Sequence, residues 1–189
     1  MDWIAAFEMF SMVTGVIYLV LEVLQKDFMW VVGILTAAAA VVCFSVRGLY
    51  ASMALNVYYV GVSVLGLIRW RKDREAVPEG VHLRRLSLRE GLWSAVALAA
   101  GTAVFYFILR AAGDPAPFLD GFVAVLSAVA TWWLTRSIPE QWLIWIVADT
   151  LSAVLCAAEG LPWMTALYVF YMLSAVYGWF HWKKQGSYV

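Results

Sequence analysis

An aspartate in the middle of an apolar run carries the clearest chemistry in this chain. Asp149 is the only charged residue of the stretch Gln141–Ala158, where an ionised carboxylate costs about 2.5–3.5 kcal/mol at the centre of a bilayer. Such groups face a bundle interior or a wet cavity and mark a function. Trp142 and Trp145 precede Asp149 by seven and four residues, which puts all three on one face of a helix. Two indole faces beside an anion form a cage for a flat, preferably cationic, ring. Trp142 fits an interfacial aromatic belt equally well.

A second stripe lies earlier in the chain. Asn56, Tyr59, Ser63, Gly66 and Trp70 follow at i, i+3, i+7, i+10 and i+14, and Tyr168, Tyr171, Ala175, Gly178 and Trp182 repeat the spacing. The first copy keeps a polar face where the second is aromatic or apolar, so a pair of similar units would build an asymmetric site. Asn56, Tyr59 and Tyr171 sit deepest and are binding candidates, with Ser63 beside them. The glycines read as close-packing positions for helix contact, and Trp70 and Trp182, each next to basic residues, as interface anchors. Glu22, four residues after Tyr18 on one helical face, either bonds a substrate amine or snorkels to water. Trp132 and Trp133 offer an aromatic wall, but adjacent residues cannot share a face.

Catalytic constellations are missing. His82 falls in a polar loop and His181 at a helix end, and the sequence holds neither a Ser/His/Asp set nor metal-ligand spacing nor a glycine-rich phosphate loop. No cofactor and no enzymatic activity are expected, a membrane-embedded enzyme being the rival of a different class. Cys43 and Cys156 both fall inside apolar stretches and read as packing residues.

The elements that would hold these groups are membrane helices. Hydrophobic residues make up 64% of the 189, charged ones 14%, and the net charge is zero, which argues against a nucleic-acid partner. Seven spans are predicted near Trp3–Leu24, Phe28–Val46, Leu49–Trp70, Gly91–Leu109, Phe118–Leu134, Gln141–Ala158 and Leu161–Trp182, each close to the roughly 20 residues needed to cross a bilayer. A shift of 112 positions lays the first three on the last three: Trp30 on Trp142, Tyr59 on Tyr171, Gly66 on Gly178, Trp70 on Trp182. The expected fold is an all-α integral membrane protein of seven transmembrane helices, three plus one plus three, with parallel repeats, a transporter architecture. Its parts are a first repeat over 1–72, a basic inner loop and linker helix over 73–114, and a second repeat over 115–189. Of the thirteen Lys and Arg, only Arg47 and Arg110 fall on the segments that are outer if the N-terminus is outside, so the positive-inside rule puts the C-terminus in the cytoplasm. Met1-Asp2 opens the chain without a signal-peptide pattern, so the first helix is expected to stay.

Trp142-Leu-Ile-Trp145-Ile-Val-Ala-Asp149 resembles the W-x-x-W-x-x-x-N/D motif of the PnuC-type vitamin transporters. Asn56-Val-Tyr-Tyr59, continuing to Gly66 and Trp70, resembles their N-x-x-Y/F…G-x-x-x-W stripe, and Pro117-Phe118-Leu119-Asp120 and Leu49-Tyr50-Ala51-Ser52 fit as well. The resemblance covers nearly the whole chain. It implies a fold akin to full-length SWEET-type transporters in the plasma (inner) membrane, and facilitated diffusion of an unphosphorylated vitamin that a cytoplasmic kinase then traps; a homo-oligomer is compatible with it. Members of the family carry nicotinamide riboside, thiamine or riboflavin. Asp149, where the nicotinamide riboside branch usually has Asn, and Ser63, where it usually has an amide, together with Glu22, lead to thiamine as the expected substrate, with nicotinamide riboside and riboflavin as alternatives.

Overall fold

The computed structural model describes residues 15–46, 50–76 and 80–188. Seven helices run through them: α1 over 15–23, α2 over Phe28–Val46, α3 over Tyr50–Ala76, α4 over Leu88–Ala111, α5 over Pro117–Leu134, α6 over Gln141–Ala158 and α7 over Pro162–Gln185. Two three-residue strands, β1 (Val81–Leu83) and β2 (Gly186–Tyr188), pair as a small sheet. The start of the first expected span, from Trp3 to residue 14, and Leu49 lie outside the described residues, as does the side chain of Cys43; Cys156 is a free thiol. By length and composition α4, α5 and α6 can each cross a membrane, and α2 contributes a shorter apolar helix, Phe28–Val42. At 27 and 24 residues, α3 and α7 span about 40 and 36 Å, although tyrosines, tryptophans and terminal charges interrupt their apolar character.

The chain divides into two compact units between Val81 and His82. In the first, α2 packs on α3; in the second, α4 packs on α5, α5 on α6 and α6 on α7. The expected linker helix, α4, therefore belongs to the same compact unit as α5–α7. It is fastened there by its own chemistry. Ser87 and Glu90 form a reciprocal capping box at its N-terminus, Glu90 also pairs with Arg136, and Trp133 Nε1 donates to Ser94 Oγ at 2.9 Å.

The 112-residue repeat is visible bond by bond. Gln25 and Ser137, 112 positions apart, are the two non-glycine residues of positive φ among the described residues, at 49° and 54°. Each ends a helix in a Schellman turn. Lys26 N donates to Leu21 O at 2.8 Å and Gln25 N to Glu22 O at 3.0 Å; the counterparts, Ile138 N to Trp133 O and Ser137 N to Leu134 O, are 3.1 and 3.0 Å. A left-handed residue other than glycine costs roughly 1–2 kcal/mol, yet both copies hold it.

The same turn differs in what satisfies its exposed carbonyl. Gln25 O accepts from Arg74 at 2.9 Å, and Arg74 also pairs with Asp27 at 3.1 Å. The position 112 after Arg74 is Gly186, which has no side chain to offer; Ser137 O accepts instead from the backbone N–H of Arg84 at 3.0 Å. A side chain at Gly186 would collide with Leu83, so the glycine that removes the guanidinium also admits β1.

Candidate functional site

Each unit contains one aromatic wedge built on a glycine. In the first, the Trp30 indole lies across Gly66 so closely that a methyl group there would stand 2.5 Å from the ring. In the second, Trp142 covers Gly178, where the same distance is 2.7 Å. Trp70 meets Trp30 edge to face with centroids 5.1 Å apart, and Trp182 meets Trp142 at 5.4 Å. All four tryptophans are fully buried. The glycines are close-packing positions, as expected, but what approaches them is an indole of the same unit. Trp70 and Trp182 are packed against those indoles, so the expectation of interface anchors is corrected: their basic neighbours point to a helix end, while their own rings turn inward.

Around the wedge the two units place their bulk on different helices. A methyl group on Gly33 of α2 would stand 3.1 Å from Ser63 Oγ and 3.5 Å from the Tyr18 ring. Adding 112 converts Tyr18, Gly33 and Ser63 into Ala130, Trp145 and Ala175. The first unit takes its ring from α1 and leaves α2 bare; the second takes it from α6 and leaves α5 and α7 small, with Ala130 and Ala175 buried. Tyr18 lies within electrostatic reach of Glu22 and Tyr59, and Glu22 and Ser63 are both buried. The first unit thus gathers Tyr18, Glu22, Tyr59 and Ser63; Asn56 is half-buried on α3.

In the second unit the carboxylate is central. Asp149 is 7% exposed, and its counterpart Ala37 is 6% exposed, so this register of the helix faces inward whichever residue occupies it. Asp149 lies within electrostatic reach of Tyr168 and Tyr171 on α7, which themselves meet edge to face at 6.2 Å. The indole nitrogens of Trp142 and Trp145 are buried without a hydrogen-bond partner among the described residues. A carboxylate, two phenols and two open N–H donors therefore lie in one helix pair. Trp132 is drawn elsewhere: the Arg136 guanidinium stands 4.9 Å from its ring centroid, while Trp133 turns to α4. Gly33 lies on neither stripe, and Tyr168 stands on the second stripe as the counterpart of Asn56 without being singled out as a binding candidate; comparing the two copies position by position carries the signal for both. Among the described residues no group of His, Cys, Asp and Glu is arranged to hold a metal ion.

A repeated helical unit with a carboxylate and aromatic groups buried in apolar helices is an arrangement that multi-pass membrane transporters use. Residues 5–184 match the family model described as nicotinamide mononucleotide transporter, and the chain belongs to that family. It is 31% identical to the nicotinamide riboside transporter PnuC of Neisseria mucosa over 97% of this chain and 73% of that one. Against PnuC of Escherichia coli the identity is 26%, covering 94% and 84%, and against the riboflavin/roseoflavin transporter RibM of Streptomyces davaonensis 23%, covering 93% and 83%. The crystal structure of the vitamin B3 transporter PnuC superposes with a TM-score of 0.67 and 27% identity, covering 92% of this chain and 78% of that one. The resemblance to PnuC-type transporters holds; the narrower likeness to a thiamine branch finds no support among these relatives.

Proposed function

We propose that this transporter carries nicotinamide riboside, unphosphorylated, across the membrane, with Asp149 as the counter-charge for its cationic ring. The observation that carries this reading is the burial of Asp149 in the same helix pair as Tyr168, Tyr171 and the unpartnered Trp145 indole nitrogen. A quaternary pyridinium satisfies a buried carboxylate, its plane stacks on aromatic rings, and its carboxamide and ribose hydroxyls can accept from the open indole donors. The proposed binding residues of the second unit are Trp142, Trp145, Asp149 and Tyr171, while Tyr18, Glu22, Asn56, Tyr59 and Ser63 are the separate candidate cluster of the first unit; Trp132, held by Arg136, is not among them. The relatives support the choice of vitamin. Asp149, Ser63 and Glu22 point to thiamine through its charge, its amine and its two rings, but nicotinamide riboside carries the same charge, so charge does not separate the two. Thiamine stays the second reading because Asp149 and Ser63 are the residues that favoured it.

The proposed architecture is the SWEET-like arrangement of three plus one plus three helices with the N-terminus outside, working by facilitated diffusion. Trapping by a cytoplasmic kinase requires that the phosphorylated product not return. Asp149 and Glu22 are buried carboxyls, and α2, α5 and α6 contain no Lys or Arg to receive a phosphate. Calorimetric titration of the purified protein with nicotinamide riboside, nicotinamide mononucleotide, thiamine and riboflavin tests the whole reading. Nicotinamide riboside is expected to bind at least about tenfold more tightly than the other three, about 1.4 kcal/mol. Tighter thiamine binding would transfer the function to the second reading, and equal affinity for the mononucleotide would remove the trapping logic.

A further inference from the structure

Gln141 opens α6 with an amide that has nothing to bond. Its side chain is fully buried, and neither Oε1 nor Nε2 meets a hydrogen-bond partner among the described residues. Packing does not call for a polar group there. The counterpart 112 positions earlier is Met29, at 0% exposure like Gln141 itself, so the first unit fills the same register with an apolar side chain of nearly the same length. A buried amide left without partners costs the desolvation of each of its groups, whereas an apolar side chain of the same shape carries no such cost. The second unit thus holds a polar group that its packing does not require, as it does with Asp149 in place of Ala37.

Gln141, Trp145 and Asp149 recur at every fourth residue, which keeps them along one side of α6. At the rise of an α-helix each step is about 6 Å and the whole run about 12 Å, a span that a nucleoside can bridge once the side chains reach inward. The middle position offers a second open group, the Trp145 indole N–H. Along the run the chemistry changes from a carboxylate, through an indole donor, to an amide that both donates and accepts. A cationic ring at Asp149 therefore leaves the uncharged part of the ligand for Gln141. An amide suits two neighbouring hydroxyls, since one donates to Oε1 while the next accepts from Nε2. A buried water would satisfy the amide as well, but it would make Gln141 indifferent to which ligand is bound.

We propose that Gln141 is a specificity residue of the riboside site, a role that rests on the reading given above: its amide holds the ribose hydroxyls while the pyridinium lies at Asp149. The test titrates the full chain in one detergent with nicotinamide riboside directly, and by competition with 1-methylnicotinamide, which keeps the cationic ring and the carboxamide and lacks the ribose. Gln141→Met installs the residue of the first unit, so the fold should tolerate it; Gln141→Leu takes its place if it does not. Either variant should weaken riboside binding about tenfold and change 1-methylnicotinamide binding by less than about twofold, whereas Asp149→Ala should weaken both ligands. Equal weakening of the two ligands by Gln141→Met would put the amide on the carboxamide and overturn the ribose assignment. Unchanged riboside affinity in a stable Gln141→Met protein, with Asp149→Ala still weakening it, overturns Gln141 as a ligand group and leaves the riboside site standing. An unaltered protein that binds no riboside, or binds it with no measurable affinity for 1-methylnicotinamide at millimolar concentration, overturns the anchoring at Asp149 and this assignment with it.

Discussion

Asp149 and Ala37 occupy one register in two copies of one helix, and both are buried. Packing therefore supplies the burial, and the second copy alone spends it on a charge. Spacing puts Asp149 on one helix stripe with Trp142 and Trp145, but spacing cannot say which way an indole turns. Trp142 is an example: its ring is wedged over Gly178 as Trp30 is over Gly66, a duty already visible in the copy that has no aspartate. Trp145, whose counterpart is Gly33, has no such duplicated role and is the more specific of the two to the site. Replacing Asp149 with Ala should weaken nicotinamide riboside binding by at least about thirtyfold, because truncating one member of a buried charge pair costs about 2–5 kcal/mol. Asp149→Asn, which keeps an acceptor and loses the charge, should fall between. Titration of both variants, each first shown to keep its unfolding temperature, checks this; an unchanged dissociation constant in Asp149→Ala removes the carboxylate from the site.

Helix limits were legible where chemistry changes abruptly and illegible where it does not. The expected limits of α2 and α6, Phe28–Val46 and Gln141–Ala158, coincide with those observed. α3 runs on from Trp70 to Ala76 through Arg71, Lys72, Asp73, Arg74 and Glu75, since charges end a membrane span while Arg, Lys and Glu are good helix formers in water. α4 begins at Leu88, before the expected Gly91, and the Ser-x-x-Glu pattern at Ser87–Glu90 is the signal that fixes it. Three-residue strands carry too little pattern to be seen at all. Within elements, the wedge makes a direct prediction. Gly66→Ala and Gly178→Ala each force an indole to move by several tenths of an ångström or more, which should cost about 1–3 kcal/mol as an overpacked core does. Trp142→Phe should recover part of the loss when combined with Gly178→Ala and none when combined with Gly66→Ala. Thermal unfolding in one detergent measures the cycle, and purely additive effects within the Gly178–Trp142 pair would show that the contact is not the cause.

At the scale of the whole chain, the repeat showed what is duplicated and was silent about what is not. α4 has no counterpart, so nothing in the comparison of halves could say which one holds it; Glu90, Ser94 and the backbone of Arg84, through Arg136, Trp133 and Ser137, tie it and the preceding strand to the second unit. The chain should therefore tolerate a break in one place and not in another. In detergent, a fragment of residues 79–189 should unfold cooperatively on heating, whereas one of residues 114–189, which lacks α4, Arg84 and β1, should not. Comparable cooperative unfolding of both would show that the second unit does not depend on the segment before α5. The exchange of Arg74 for Gly186 leaves the two units unequal in self-sufficiency. The first meets the carbonyl at its helix end with a side chain of its own α3, and the second meets the corresponding carbonyl with the backbone of Arg84, in the stretch that precedes α4. The length of that stretch is therefore constrained by the second unit, and an insertion there should disturb the second unit before the first.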